Sequence, residues 1–209
     1  MTALNCFQLS HEGPVAHLVL NRPEALNTMQ PAFWRQLHDI LSDLHQQGRA
    51  RALVISSTGR HFSAGMDLQT FEGAITLDEG SAEGRAAVFD QLTDMQQTFT
   101  LLETLRMPVI AAIRGLALGG GCELLVHCAR RVAHMESYIG LVEVGIGLIP
   151  GAGGLTYITR RAAEKAAPST GKDLLPFLSE GFTAAAMAKV GTSALESRAL
   201  GYLQDSDVI

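Results

Sequence analysis

The 209-residue chain lacks an apolar run that could span a bilayer. The stretch from Val109 to Leu118 falls short of the ~20 residues a membrane helix needs, and it carries Arg114. No membrane partner is therefore expected. Positive charge is also in short supply, with 16 Lys and Arg against 21 Asp and Glu and a net charge of -5. Without an excess of cations to release phosphate counterions, a nucleic-acid partner is excluded. A coenzyme with phosphates would need only a few local cations. Cysteine is scarce as well. Cys6, Cys122 and Cys128 are odd in number and lack metal-ligand spacing, so they read as reduced thiols and not as a disulfide frame. The N-terminal stretch has no basic segment followed by an apolar run, hence no visible secretory signal. A soluble, cytoplasmic protein is the expectation.

Several catalytic signatures are missing too. There is no Gly-Lys-Ser/Thr phosphate loop and no GxGxxG with an acidic ribose partner. No Ser, His and acid form a nucleophile elbow. Nucleoside triphosphates, nicotinamide cofactors and serine hydrolysis drop out as readings.

What is present suits one α/β domain over residues 1–209. Val15 to Leu20 is β-rich and ends at the turn signal Asn21-Arg22-Pro23. Pro31 to His45 has helical spacing, with Phe33, Leu37, Ile40, Leu41 and Leu44 on one stripe and Gly48 suited to end it. Ala52 to Ile55 and Pro108 to Ile113 read as buried strands. Between them, Arg85 to Leu105 reads as a long helix with Val88, Leu92, Met95, Phe99 and Leu102 at mixed three- and four-residue steps. Thr76 to Gly84 reads as a mobile surface loop, and Ala166 to Lys172 as a second weak stretch.

The chemistry concentrates between Arg114 and Gly154. Gly119-Gly120-Gly121 follows a predicted strand and opens a helix expected from about Gly120 to Cys128. Glycines let a backbone approach a ligand with no Cβ in the way, and the free N–H groups of a helix start can stabilise negative charge. Tight strand–helix packing accounts for the glycines equally well. Glu123 lies in the first turn of that helix, and Glu143 is the lone charge in IGLVEVGIGLIP. Carboxyls among apolar neighbours pay for desolvation, which raises their pKa toward the range of general acid–base work. Singly, each acid has a blander reading, as a helix-start acid or a loop-tip acid; with the glycines, the catalytic reading gains. Cys122 beside Glu123 invites a nucleophile reading, but a small buried thiol is the simpler one. A second small-residue stretch, His61 to Leu68, could bring another backbone N–H alongside. Within it Asp67 reads as a cap or salt-bridge partner and His61 as a turn residue. His127 and His134 read as surface positions on a helix and a strand.

These residues resemble the enoyl-CoA hydratase/isomerase (crotonase) superfamily. The marks, in order, are Leu20 to Asn27 (LNRPEALN), Phe62 to Leu68 (FSAGMDL), Pro108 to Ala112 (PVIAA), Ala117 to Glu123 (ALGGGCE) and Ile149 to Gly154 (IPGAGG). The resemblance implies a spiral of ββα repeats, assembled as a homotrimer or hexamer. It implies an acyl-CoA thioester as substrate, with no metal or redox cofactor. Carried over by motif, Gly120 and Met66 would supply the two N–H groups of an oxyanion hole. Glu123 would be the base toward water and Glu143 the acid toward the α-carbon, and Ala25, Ala64, Met66 and Gly120 would line the coenzyme A site. Hydration of 2-enoyl-CoA is the first expectation. A Δ3-Δ2 enoyl-CoA isomerase and a non-catalytic acyl-CoA-binding subunit are the alternatives.

The chain departs from the family pattern at three places. A basic residue often found after the Ala-Gly-x-Asp-x stretch is Gln69 here, which leaves coenzyme phosphates to Arg22 or a distant cation. The Asp a dienoyl-CoA isomerase would carry eight residues beyond Glu143 is Gly151, which disfavours that subtype. The later runs 134–154 and 186–207 look more like the hydratase-like part of multifunctional 3-hydroxyacyl-CoA dehydrogenase proteins. The helical region expected after Leu203 is shortened.

Overall fold

The computed structural model describes residues 5–70, 81–168, 171 and 173–209. Its frame is a five-stranded sheet in the order β1 (Phe7–Glu12), β2 (Val15–Leu20), β3 (Ala52–Ser57), β4 (Val109–Leu118), β5 (Arg130–Gly140). β1 and β2 form an antiparallel hairpin at one edge, and the remaining pairs are parallel. Parallel neighbours need a crossover. Helices supply it: α1 (Pro31–Gln47) between β2 and β3, α2 (Ala82–Thr104) between β3 and β4, and α3 (Gly120–Val126) between β4 and β5. Three further helices follow, α4 (Gly154–Ala166), α5 (Leu175–Ala186) and α6 (Ala194–Ala199).

Each turn of the chain has the same plan. A sheet strand is followed by a short extended segment in a second row, and then by a helix. Parallel bridges join Met29 to Met66 and Ser63 to Ala117, and an antiparallel bridge joins Ile139 to Gly191. β4 and β5 make the passage without leaving their pairing, through an irregularity between Ile113 and Gly115. This is the expected ββα repeat, and the second row is what carries the glycine stretches toward one another.

The α1 stripe is buried as its spacing predicts, from Phe33 to Leu44, and the helix stops at Gly48. Trp34 of α1 meets Phe99 of α2 at 4.9 Å between ring centroids, locking the two helices together. α2 begins earlier than expected, because the Ser81 hydroxyl accepts from Gly84 N–H at 2.9 Å and caps it. Residues 82–84 of the expected loop are therefore helix, while 76–80 lie outside the described residues. Met95, Phe99 and Leu102 are buried, whereas Val88 and Leu92 face a cavity and not the core.

The last residues run along β5. Val208 bridges Val132, and the buried Arg131 guanidinium donates through Nε to Asp207 at 2.8 Å. Arg131 N–H donates to the same carboxylate at 3.0 Å. Among the described residues, no helix is long and apolar enough to cross a membrane.

Candidate functional site

Two extended segments meet where β4 ends. Ser63 N–H donates to the Leu116 carbonyl, and Leu118 N–H donates back to Ser63, both at 3.0 Å. This register lays Gly65 on the turn that opens α3. Gly65 has φ +89°, and a Cβ there would sit 2.7 Å from the Leu118 carbonyl oxygen and 3.2 Å from Gly120 N. Only glycine tolerates both the conformation and the approach. On the other side of the turn, Met29 N–H donates to Gly65 and Met29 accepts from Asp67 N–H. The Met66 N–H is skipped by this ladder, and the Gly120 N–H, first in its helix, has no intrahelical acceptor. Among the described residues, neither N–H donates to a protein group.

Glu123 is 3 % exposed, one turn into α3. Its Oε1 accepts from Ala152 N–H and Gly154 N–H, each at 2.9 Å. Burial pushes its carboxyl up to about 7 against the pull of those two donors, with a further upward push from Glu143. Glu143 starts a 3-10 turn, Glu143–Ile146, after β5. Both its carboxylate oxygens are buried without a protein hydrogen bond. Burial raises its pKa as well. The Glu143 carboxylate lies against the glycine turn, since a Cβ on Gly119 would fall 3.1 Å from its Oε1.

These four groups open onto one cavity of about 490 Å³. Met66, Gly120, Glu123 and Glu143 form its polar side, and Val88, Leu92, Met95, Leu148 and Ile149 its apolar wall. The structure thus brings together the two expected backbone donors and the two expected acids. Ala25 and Ala64 lie outside the lining. Ala64 N–H is already used on the Leu26 carbonyl at 3.0 Å, and Ala25 closes the 3-10 turn Pro23–Ala25.

Other sequence readings divide. Asp67 is a salt-bridge partner as expected, 3.4 Å from Arg22. The same bond engages the candidate phosphate cation, for Arg22 also donates to the Thr28 carbonyl at 2.8 Å. Cys122 is fully buried, and burial raises its thiol pKa well above the ordinary range, which removes the nucleophile reading. His61 lies in the irregular segment after β3, its Nδ1 accepting from Leu116 N–H, and His134 is exposed on β5. His127 is corrected. Its side chain is only 11 % exposed and bonds to Glu103 and to the Ala152 carbonyl. Among the described residues, no three His, Cys, Asp or Glu side chains cluster as a metal set.

One structural residue escaped the sequence reading. Asn27 is buried at a positive φ of 54°, and its side chain accepts from Arg22 N–H while donating to the Thr58 and His61 carbonyls. It ties the turn after β2 to the turn after β3. Its place in LNRPEALN was the available signal, since Asn is among the few residues that enter this backbone region readily.

Known proteins resemble this chain in sequence and in fold. The chain is 36 % identical over 143 residues to the mitochondrial Delta(3,5)-Delta(2,4)-dienoyl-CoA isomerase of Mus musculus, covering 68 % of this chain and 44 % of the mouse protein. It is 35 % identical over 158 residues to the short-chain-enoyl-CoA hydratase of Clostridium acetobutylicum, covering 75 % and 57 %. The chain thus spans about half the length of these curated relatives. The crystal structure of enoyl-CoA hydratase from Thermoplasma volcanium GSS1 superposes with a TM-score of 0.77 at 26 % identity, over 98 % of this chain and 71 % of that one. The family model described as Enoyl-CoA hydratase/isomerase matches residues 10–176. On this match and these relatives, the chain belongs to the enoyl-CoA hydratase/isomerase family.

Proposed function

We propose that the site hydrates 2-enoyl-CoA thioesters. The observation that carries this reading is the convergence of two undonated backbone N–H groups and two buried carboxyls on one cavity. The Met66 and Gly120 N–H groups receive the thioester oxygen as it becomes an enolate. Glu123 takes a proton from water, and the water oxygen bonds to the β-carbon. The electron pair of the double bond moves toward the thioester oxygen, and returns to the α-carbon as Glu143 delivers its proton there. The product is a 3-hydroxyacyl-CoA. One fixed donor of this kind is worth on the order of 3 kcal/mol of barrier.

The two acids suit the task. A base titrating at about 7 is matched to neutral pH. Repulsion between the buried carboxyls favours one proton held by the pair, which is the state the step requires. Arg22 is engaged by Asp67, so the coenzyme phosphates are assigned to other cations. The protein acts without a metal or redox cofactor, as a trimer or hexamer in the cytoplasm. The likeness of residues 134–154 and 186–207 to the hydratase-like part of multifunctional 3-hydroxyacyl-CoA dehydrogenase proteins rests on sequence motifs, and it accommodates the same acid pair.

Loss of enoyl-thioester absorbance with a short 2-enoyl-CoA tests the assignment. Glu123→Gln and Glu143→Gln should each lose about 100- to 10,000-fold in turnover. A double variant as active as wild type sinks it. Δ3-Δ2 isomerisation is the second reading, favoured by Glu143 standing free of hydrogen bonds while Glu123 is tethered. It predicts that Glu143→Gln abolishes turnover of a 3-enoyl-CoA and that Glu123→Gln is tolerated. Gly151, where a dienoyl-CoA isomerase would carry Asp, counts against that subtype despite the mouse relative.

A further inference from the structure

The loop that holds Glu123 is itself held from behind. Glu123 and His127 stand four residues apart on α3 and its C-cap, a spacing that puts them on one side of the helix. Together they grip both edges of the segment Ala152–Gly154. Glu123 Oε1 takes the Ala152 and Gly154 N–H groups, and His127 Nε2 lies 2.9 Å from the Ala152 carbonyl oxygen. His127 Nδ1 lies 2.8 Å from Glu103 Oε1 of α2, and Glu103 Oε2 accepts from Arg160 of α4 at 3.4 Å. The ring also packs on Phe99, 5.5 Å between centroids. Gly153, with φ +113°, lies against the imidazole, and a Cβ there would overlap Nε2. The contact is therefore built into the backbone path. Gln96 fixes the preceding peptide, donating to the Gly151 carbonyl at 2.7 Å.

We infer that His127, braced by Glu103, is a positioning residue for Glu123: it sets the Ala152–Gly154 segment so that two N–H groups point at the carboxylate. The catalytic consequence rests on the proposed role of Glu123 as base. The charged and titratable groups around the pair are Glu143 from the 3-10 turn and Cys122 from α3 on the Glu123 side. On the His127 side they are Glu103 and Arg160. None of these donates a hydrogen bond to Glu123, so the two backbone N–H groups are what favours its ionised form. Losing the His127 anchor slackens them, and the proton is then held more tightly.

The test follows the Glu123 carboxyl by 13C NMR in the full chain, its resonance assigned by disappearance in Glu123→Gln. In His127→Ala the midpoint should move up by about one pH unit, the scale on which a lost hydrogen bond to a carboxylate acts. The acid limb of kcat/KM for 2-enoyl-CoA should move with it, a roughly 10-fold loss on that limb, while KM stays within about 2-fold. His127→Gln, whose amide can still donate to the Ala152 carbonyl, should reverse most of that shift and return the midpoint toward the wild-type value. If His127→Ala does not fold, Glu103→Ala should give a smaller shift in the same direction. An unmoved midpoint overturns the inference, as do equal shifts in the Ala and Gln variants. Should wild type turn over no enoyl-CoA, the hydratase reading fails while the NMR midpoint still decides the positioning role.

Discussion

The Glu123 carboxyl is 3 % exposed and accepts two backbone N–H bonds, so opposing effects act on its proton. Burial is the larger, and the folded value lies near 7 against an ordinary 4.5. A carboxyl raised in this way favours its protonated form in the fold. Its contribution to stability is full below pH 4.5 and is lost as pH rises through 7. Glu123→Gln keeps an oxygen for both donors and removes the charge. Relative to wild type it should gain about 1 kcal/mol near pH 5 and about 3 kcal/mol at pH 8, read by denaturant unfolding at each pH. A gain that does not grow with pH would contradict the assignment. Glu123 and Glu143 were legible in the sequence because each is a charge among apolar residues or glycines, and such a charge needs a chemical reason. His127 was not legible. Its partners, Glu103 and Ala152, lie 24 and 25 residues away. Nothing in its neighbourhood of sequence distinguishes it from a surface histidine.

At the scale of elements, the site is a meeting of two turns. The strand–glycine–helix turn at Leu118–Gly120 and the stretch Ser63–Met66 are each ordinary, and the close approach at Gly65 makes them one feature. Gly65→Ala would force a side chain into a backbone oxygen at positive φ. Such strain costs about 1–3 kcal/mol, and displacing one N–H donor should lower 2-enoyl-CoA turnover by on the order of 100-fold. Thermal melting and the hydration assay would read the two effects separately; full activity in the variant would show that the Met66 N–H plays no part. Helices α1 and α2 were readable from their periodicity, because each hides one stripe. β1 and much of β5 were not. β1 is an edge strand with mostly exposed side chains, and β5, RRVAHMESYIG, interrupts its alternation where its pairing with β4 slips. The periodicity of α2 does not say what its stripe faces: Val88 and Leu92 line the cavity, where an apolar residue is as much at home as in a core.

For the whole molecule, a long reach is made by Arg131 and Asp207, whose side chains are 1 % and 0 % exposed. The pair binds the end of the described chain to the start of β5 across 76 residues of sequence, a distance no local pattern reports. Gln204 N–H donates to the same carboxylate and Arg198 to the Asp207 carbonyl, so the tail is held at several points. Removing one partner strands a buried charge. Asp207→Ala should cost about 3–5 kcal/mol in denaturant unfolding, whereas replacing both residues with apolar ones of similar volume should cost much less. Sheet order was inaccessible for a related reason: α/β alternation implies parallel strands, but the β1–β2 hairpin at the edge depends on which strand finds which partner in space.

The Met66 and Gly120 donors are peptide groups and not side chains, and this bears on how such a site can change over time. A backbone N–H survives any substitution that leaves the chain path alone. The side chain of Met66 and the wall of Val88, Leu92, Leu148 and Ile149 can therefore be exchanged to suit a longer or shorter ligand while the polar fixture stays in place. Heritable variation then falls on what is bound, and the electrostatics of the reaction travel with the glycines.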